Sequence, residues 1–245
     1  MREVDAYARL AGVYDDFVVD PCFARWADFL DGLFVTDSAG VSSVVDLCCG
    51  TGWMDSELIA RGYRVVGLDA SQAMLERARS RLGPDARLVH ATLPDLPIDG
   101  IYDAATSTYD GFNYLTASDL RETLVRLARL VRAEGWLAFD LHAEAMLQLA
   151  AANSRVEGDW NGRPYRISYD VDTERRTCVS RVELTDDAGA FAEDHRQYIH
   201  DDATVRAALA AAGFDRVAVL DDYSLVPASA TTLRATWIAR RASTT

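Results

Sequence analysis

Three groups of residues have types and spacings that can carry chemistry. The first is the run Asp46-Leu47-Cys48-Cys49-Gly50-Thr51-Gly52, a turn of small residues after a short apolar stretch. Gly50 and Gly52 let the backbone pass close to a ligand where a Cβ would collide. Asp69 ends the next apolar run. A carboxylate at that distance after a glycine turn is placed to accept hydrogen bonds from ribose hydroxyls. The second group is Glu193, His195 and Gln197, spaced by two and therefore on one face of a strand. That face is either solvated or aimed into a cleft, and in a cleft His195 is suited to take a proton near neutral pH. The third is the aromatic loop 109–115, with Tyr109, Asn113 and Tyr114, joined later by His142. Tyr109 is read as lining a ligand, Asn113 and Tyr114 as either structural or acceptor contacts, and His142 as an acceptor contact or a hydrogen-bonded loop histidine.

The glycine spacing separates two kinds of nucleoside. A dinucleotide fingerprint needs a third glycine or alanine three residues after the second, to pack the helix under a pyrophosphate. Here that residue is Asp55. A carboxylate at a helix N-terminus opposes a diphosphate. A nucleoside without phosphates meets no such conflict, and S-adenosylmethionine is the common one.

On these residues, together with Gly67-Leu68-Asp69-Ala70-Ser71 and Met74-Leu75, the chain resembles the class I S-adenosylmethionine-dependent methyltransferases. The family pattern is D-x-G-x-G-x-G, and Cys48 stands at its first glycine, which places negative φ there. The resemblance implies a cofactor site made from Asp46, Cys48, Gly50, Gly52, Asp69, Ala70, Met74, Leu93, Thr108 and Tyr109. Thr92 stands where family members carry an aspartate for the adenine amino group. The segments Tyr7-Ala8-Arg9-Leu10-Ala11, Val13-Tyr14-Asp15 and Arg25-Trp26-Ala27-Asp28-Phe29 are similar to the N-terminal lid of small-molecule methyltransferases. That likeness implies that Tyr7, Tyr14 and Trp26 close over the methionine end of the cofactor. It also implies that the Glu193-x-His195-x-Gln197 strand meets the acceptor, with His195 and Tyr14 as catalytic candidates.

The elements that must position these residues follow from periodicity. Apolar runs at 43–47, 64–69, 87–90, 102–108 and 136–141 read as buried parallel strands. Helical patterns occupy 54–61, 72–82 (capped by Ser71), 117–132 and 202–212 (stopped by Gly213). Before the first strand, apolar residues recur at helical spacing over 7–34, with Pro21 between two helices. From 158 to 198 the pattern turns to alternation, the mark of antiparallel strands. The last strands, 216–220 and 233–239, complete seven by family analogy. The expectation is an α/β, doubly wound, Rossmann-like sheet of seven strands in four parts: a helical lid (1–40), a cofactor-binding core (41–155), an inserted antiparallel β-platform (156–200) and a C-terminal completion of the core (201–245).

Composition narrows the function. The chain has 245 residues, 49% of them hydrophobic, and a formal net charge of -13. That sign opposes the neutralisation of nucleic-acid phosphates. Four arginines between Arg121 and Arg132 read as a solvated helix face. No apolar run approaches a membrane span, and the acidic start is not a signal peptide, so a cytoplasmic location is expected. The cysteines at 22, 48, 49 and 178 lack metal-ligand spacing and read as small buried hydrophobes, so no metal is expected. The reading is a methyltransferase using S-adenosylmethionine on a small-molecule acceptor. N-methylation of an amine in antibiotic or amino-sugar metabolism comes first, O- or C-methylation next. An NAD-dependent oxidoreductase and a catalytically silent cofactor-binding protein are the alternatives of other classes. A homodimer is left open.

Overall fold

The run Ser43-Val44-Val45-Asp46-Leu47 is β-branched and apolar because it is covered on both sides of a sheet. The computed structural model, which describes residues 2–4, 6–18 and 22–243, makes it strand β2 (Ser43–Leu47). Alternate residues divide between two cores, as the pleat requires. Val45 and Leu47 face one core and Val44 the other. Asp46, in phase with Val44, is therefore turned inward under helix α3 (Trp53–Ala60).

The seven-stranded sheet has the order β11-β12-β6-β5-β2-β3-β4. Its remaining members are β3 (Arg64–Asp69), β4 (Arg87–His90), β5 (Tyr102–Ser107), β6 (Val131–His142), β11 (Phe214–Asp221) and β12 (Arg234–Arg241). The chain builds outward from β2 to β4 and then crosses to start β5 on the other side of β2. The β2/β5 boundary is thus the point where the winding reverses, and ligands of open α/β sheets bind at the carboxyl ends beside it. Six strands run in one direction, while β12, between β6 and β11, runs antiparallel to both. Helices α5 (Ala117–Leu127) and α7 (Asp202–Ala212) cover one face. On the other face α2 (Phe23–Phe34) and α3 bury Trp26, Leu30, Phe34, Met54 and Leu58, each stabilising by roughly 1.5–3 kcal/mol. Helix α4 (Gln72–Leu82) starts at Ser71, whose hydroxyl accepts from Met74 N at 3.3 Å.

A second sheet has the order β1-β10-β9-β8-β7. Strands β7 (Arg155–Trp160), β8 (Arg163–Asp172), β9 (Thr177–Asp186) and β10 (Gly189–Tyr198) are antiparallel neighbours. Strand β1 (Arg2–Val4) lies parallel to β10, so the start of the chain is part of this sheet's edge. The lid cluster of Leu10, Val13, Tyr14 and Phe17 packs on Val182, Leu184 and Phe191 of β9 and β10.

Four local expectations change. Cys48 has φ +57, not negative, and its side chain fills the space over Gly111, where a Cβ would sit 2.6 Å from that of Cys48. Helix α5 ends at Leu127 rather than at 132, because Arg129 N and Leu130 N turn back to Arg126 O and Leu127 O. Strand β6 then begins at Val131, with a left-handed Glu134 beside a register shift. Helix α6 (Glu144–Ala152) and strand β7 fall outside the sequence expectation. Pro21, expected between two helices, lies outside the described residues.

Candidate active site

The loop after β2 is held by left-handed backbone at every second residue: Cys48 (+57), Gly50 (+55) and Gly52 (+77). Asp69, at the end of β3, fixes that loop. Its Oδ2 accepts from Gly50 N at 2.8 Å and its Oδ1 from Ser71 N at 2.8 Å. Each oxygen keeps a second lone pair for another donor. Burial raises the Asp69 pKa above the ordinary carboxylate value, while the N–H groups of Ser71 and Gly50 pull it back. A cavity of about 250 Å³ opens beside this carboxylate, walled by Gly50, Ala70, Met74 and Thr108 and by the rings of Phe23 and Trp53. No lysine or arginine is among its described lining residues.

The lid is tied down over that cavity. Asp15, on α1 (Tyr14–Phe17), accepts from Thr51 Oγ1 at 2.6 Å, Trp53 Nε1 at 3.1 Å and Arg81 at 2.8 Å. The Arg81 guanidinium also lies 3.9 Å above the Trp53 ring, a cation–π contact. Glu193, only 1% exposed, takes three backbone donors of the lid: Tyr7 N at 2.7 Å, Arg9 N at 2.7 Å and Leu10 N at 2.9 Å. Burial alone would raise the Glu193 pKa, but His195 and these N–H groups hold it below the ordinary value.

A second cavity of about 590 Å³ lies between the lid, the end of β6, α6 and the second sheet. Tyr7, Tyr14, Tyr109 and Tyr114 line both cavities, so four tyrosines form the wall where the two meet. The Tyr7 and Tyr114 hydroxyls are 2.7 Å apart, and Tyr114 Oη is 3.1 Å from His195 Nδ1. His195 Nε2 is 3.6 Å from Glu193 Oε2. Burial pushes the Tyr7, Tyr14 and Tyr114 pKa values well above 10, so these hydroxyls stay protonated at neutral pH. They relay or donate protons and are not resting bases.

Farther in, Asp140 binds the backbone of the aromatic loop. It accepts from Tyr109 N at 2.7 Å, Asp110 N at 2.6 Å and Tyr223 Oη at 2.7 Å. Tyr109 and Asp110 both have positive φ (+64 and +54). Two consecutive non-glycine residues there persist only when their surroundings fix them, and Asp140 does so. Arg234, over the rings of Trp26 and Tyr109, balances Asp140 at 3.6 Å.

Of the residues picked out by sequence, Cys48, Gly50, Asp69, Ala70, Met74 and Thr108 line the first cavity, and His142, His195 and Gln197 the second. Seven others stand apart. Trp26 is fully buried behind Tyr109 and stacked on Tyr223 at 4.6 Å, because α2 turns that face into the core. Asp46 faces Asp55 beneath the loop, and Gly52 packs toward Ala78 of α4. Thr92 belongs to a shallow surface depression with His90, and Leu93 packs on the main core. Glu193 is turned to the lid backbone. Asn113, also expected near the acceptor, spans the ends of β6 and β10, donating to Tyr198 O and accepting from His142 N, both at 2.8 Å.

Asp55 is corrected most sharply. Its carboxyl does not face the helix N-terminus but points back under the loop, where a Cβ on Gly67 would lie 2.4 Å from its Oδ2. Asp46 Oδ2 and Asp55 Oδ1 have no protein donor, and one proton shared between them satisfies both. The stronger argument against a diphosphate is the absence of a cationic side chain among the described residues of the first cavity, next to an anionic Asp69.

A cationic sulfonium nucleoside fits this cavity: a carboxylate with spare lone pairs for a ribose diol, aromatic rings, and no fixed positive charge. Residues 44–135 match the family described as a methyltransferase domain. An uncharacterized methyltransferase of Geobacillus sp. (strain WCH70) is 30% identical over 183 residues, 69% of this chain and 82% of the relative. Of the other curated relatives, a methyltransferase of the same Geobacillus strain is 24% identical and matched over 99% of its length, while three more are matched over 38–56% of theirs. Among solved structures, an S-adenosylmethionine-dependent methyltransferase from Clostridium acetobutylicum superposes with a TM-score of 0.83 at 22% identity, covering 96% of this chain and 99% of that one. A sugar N-methyltransferase from Streptoalloteichus gives 0.70 at 19% identity, covering 90% and 88%. Among the described residues no helix is long and apolar enough to cross a membrane, none of the four cysteines is in a disulfide, and no cluster has the makings of a metal site. The chain belongs to the class I S-adenosylmethionine-dependent methyltransferases.

Proposed function

We propose that the protein methylates the amine of a small molecule held in the second cavity, across the tyrosine wall from the cofactor in the first. The observation that carries this reading is the pair of cavities sharing Tyr7, Tyr14, Tyr109 and Tyr114. S-adenosylmethionine, when bound, supplies a sulfonium methyl that the acceptor's lone pair takes as the carbon–sulfur bond breaks with its electrons on sulfur. This chain brings the two partners into line and excludes water. Asp69 and the Gly50 backbone hold the ribose side of the site. Tyr14 and Tyr109 place aromatic faces at the wall, where a cationic methyl donor gains about 0.5–2 kcal/mol.

After transfer the acceptor nitrogen carries a proton more than the neutral product. His195 takes it, directly or through Tyr114, and Glu193 at 3.6 Å balances the imidazolium. A nitrogen acceptor suits this cavity because the neutral fraction of an amine already offers a lone pair, whereas an alcohol needs a strong base and the wall tyrosines stay protonated. The sugar N-methyltransferase named above supports the amine by likeness of fold.

The test is transfer of isotopic methyl from labelled S-adenosylmethionine to panels of small amines and alcohols. Labelled N-methyl products are expected. Labelling of alcohols alone would replace the amine with an oxygen acceptor. Tight cofactor binding without transfer to either panel or to metabolite extracts would make the chain a silent binding protein.

A further inference from the structure

Asp110 stands at the N-cap of a short 3₁₀ helix, Gly111–Tyr114, yet its carboxylate caps none of that helix's N–H groups. It is 8% exposed and turned to the second cavity. Its backbone is left-handed, and that conformation is fixed by Asp140, which takes the N–H groups of both Tyr109 and Asp110. The fold therefore maintains an unfavourable backbone whose result is to send this side chain away from its own helix. Gln197 Nε2 donates to Oδ2. His142 Nε2 stands 3.6 Å from Oδ1 and is held by Gln197 Oε1 at 3.2 Å on its other nitrogen.

Asp110 shares the Arg234 guanidinium with two other carboxylates, and its contact is the longest of the three. Arg234 stands 3.6 Å from Asp140 and 3.5 Å from Asp222, nearer to both than to Asp110 at 3.9 Å. Arg155, at the far rim, is paired with Glu157 at 3.3 Å. Asp222 has Arg25 at 2.8 Å. A buried carboxylate facing a cavity this way is costly unless a cation joins it.

We propose that Asp110 is the acceptor's anchor: its carboxylate receives the N–H groups of an organic amine and is the counter-ion to the ammonium that forms on methylation. This rests on the reading of the second cavity as the acceptor site and adds the residue and the charge it selects. Asp110 directly follows Tyr109, whose ring belongs to both cavities, so a nitrogen at the carboxylate is close to the wall. A neutral amine donates to the carboxylate. As its lone pair forms the new N–C bond and the C–S electron pair leaves on sulfur, the nitrogen becomes cationic and the same contact strengthens. Asp110 thus favours the transition state over the ground state. An alcohol of the same shape receives far less from that charge.

The experiment is calorimetry on the full chain, with and without S-adenosylhomocysteine, using benzylamine and benzyltrimethylammonium against benzyl alcohol. The wild type is expected to bind the two cations at least ten-fold more tightly than the alcohol at pH 8, and Asp110→Asn to erase most of that ratio. Asp110→Glu, which keeps the charge, is expected to restore part of it. S-adenosylhomocysteine affinity reports folding, since Asp110 does not line the first cavity. A wild type without preference for the cations, or an Asp110→Asn protein with the preference intact, overturns the proposal. Failure to bind S-adenosylhomocysteine would instead strike the methyl-transfer reading, while the amine-to-alcohol ratio still decides Asp110.

Discussion

The two cavities are built in different ways. The floor of the first is made from three short turns at strand ends, the loop after β2, the end of β3 and the start of the loop after β5, and only its cover comes from the N-terminal segment, through Tyr7, Tyr14 and Phe23. The second takes its walls from the lid, the aromatic loop, α6 and four strands of the separate sheet, so residues 7, 110, 142, 195 and 234 meet there from across the chain. A site assembled from short local turns at strand ends has little freedom to vary without losing the turn. A site assembled from side chains on a separate sheet can change its occupant without touching the main fold. On the proposed assignment the cofactor side is fixed by geometry and the acceptor side by side-chain identity.

The largest effect is expected from breaking the first cavity at its one carboxylate. Asp69→Ala removes two charge-assisted contacts to ribose, about 1.5–3 kcal/mol each, and frees Gly50 N and Ser71 N. Affinity for S-adenosylhomocysteine is expected to fall by roughly 10³-fold, as read by calorimetry. Affinity for an amine in the second cavity is expected to change little. Parallel loss of both would mean that the cavities are one unit.

The second cavity is tested by His195→Ala. Turnover is expected to drop by roughly 10²-fold, within the range of general-base residues, with S-adenosylhomocysteine affinity unchanged. Equal turnover would leave alignment by the tyrosine wall as the whole of the catalysis. Glu193→Gln links the two regions, because its carboxylate closes the lid on both. Hydrogen exchange over residues 7–18 is expected to speed up, and S-adenosylhomocysteine to bind about ten-fold more weakly. Since the folded Glu193 pKa is lowered, its contribution is present above the unfolded value of about 4.3 and is lost as pH falls through the folded one. Exchange unaffected by the substitution would show that Asp15 and Arg77 hold the lid without it.

The same contrast explains what could be read from sequence. The glycine turn and Asp69 were legible because strand, turn and acid are neighbours whose spacing has few structural meanings. The Glu193-x-His195-x-Gln197 face was legible as a shared face, but not its destination. Only the pairing of β10 with β9 and β1 turns it inward, and even then Glu193 meets lid backbone while His195 meets the cavity. Trp26 read as a lid residue because helical periodicity gives a face without saying what covers it; Tyr223, about two hundred residues away, does so. Arg234 and Asp140 had no local signal, since each is one of several charges in its strand and nothing in the spacing singles it out. At the Tyr-Asp pairs 14–15 and 109–110 the tyrosines line both cavities, as their position suggests, while the contacts of the aspartates had no local signal.

The smallest effect belongs to the region that touches neither cavity. Asp46 and Asp55 are 1% exposed beneath the glycine loop, and Thr106 Oγ1 donates to Asp46 Oδ1 at 2.8 Å. Burial raises both pKa values, that of Asp46 to about 6 against hydrogen bonds from Asp55 and Thr106, and that of Asp55 well above the ordinary carboxylate value with the Asp46 charge adding to the rise. The folded state therefore binds more protons than the unfolded one above pH ~4, where a free aspartate has ionised. With that sign, stability falls as pH rises from there through the folded values. Asp55→Asn keeps the shape and supplies a permanent N–H donor to Asp46 in place of the shared proton. The variant is expected to match the wild type near pH 5 and to exceed it at pH 8 by about 1–2 kcal/mol, one pKa unit being worth 1.36 kcal/mol. Denaturant unfolding of both proteins at the two pH values measures this difference, and subtraction removes the titrations they share. S-adenosylhomocysteine affinity is expected to stay within about two-fold, because neither carboxyl reaches the cavity. Unfolding curves that shift in parallel with pH would show that no proton is shared under the loop, and the inward turn of Asp55 would then need a cation or a water network to balance it.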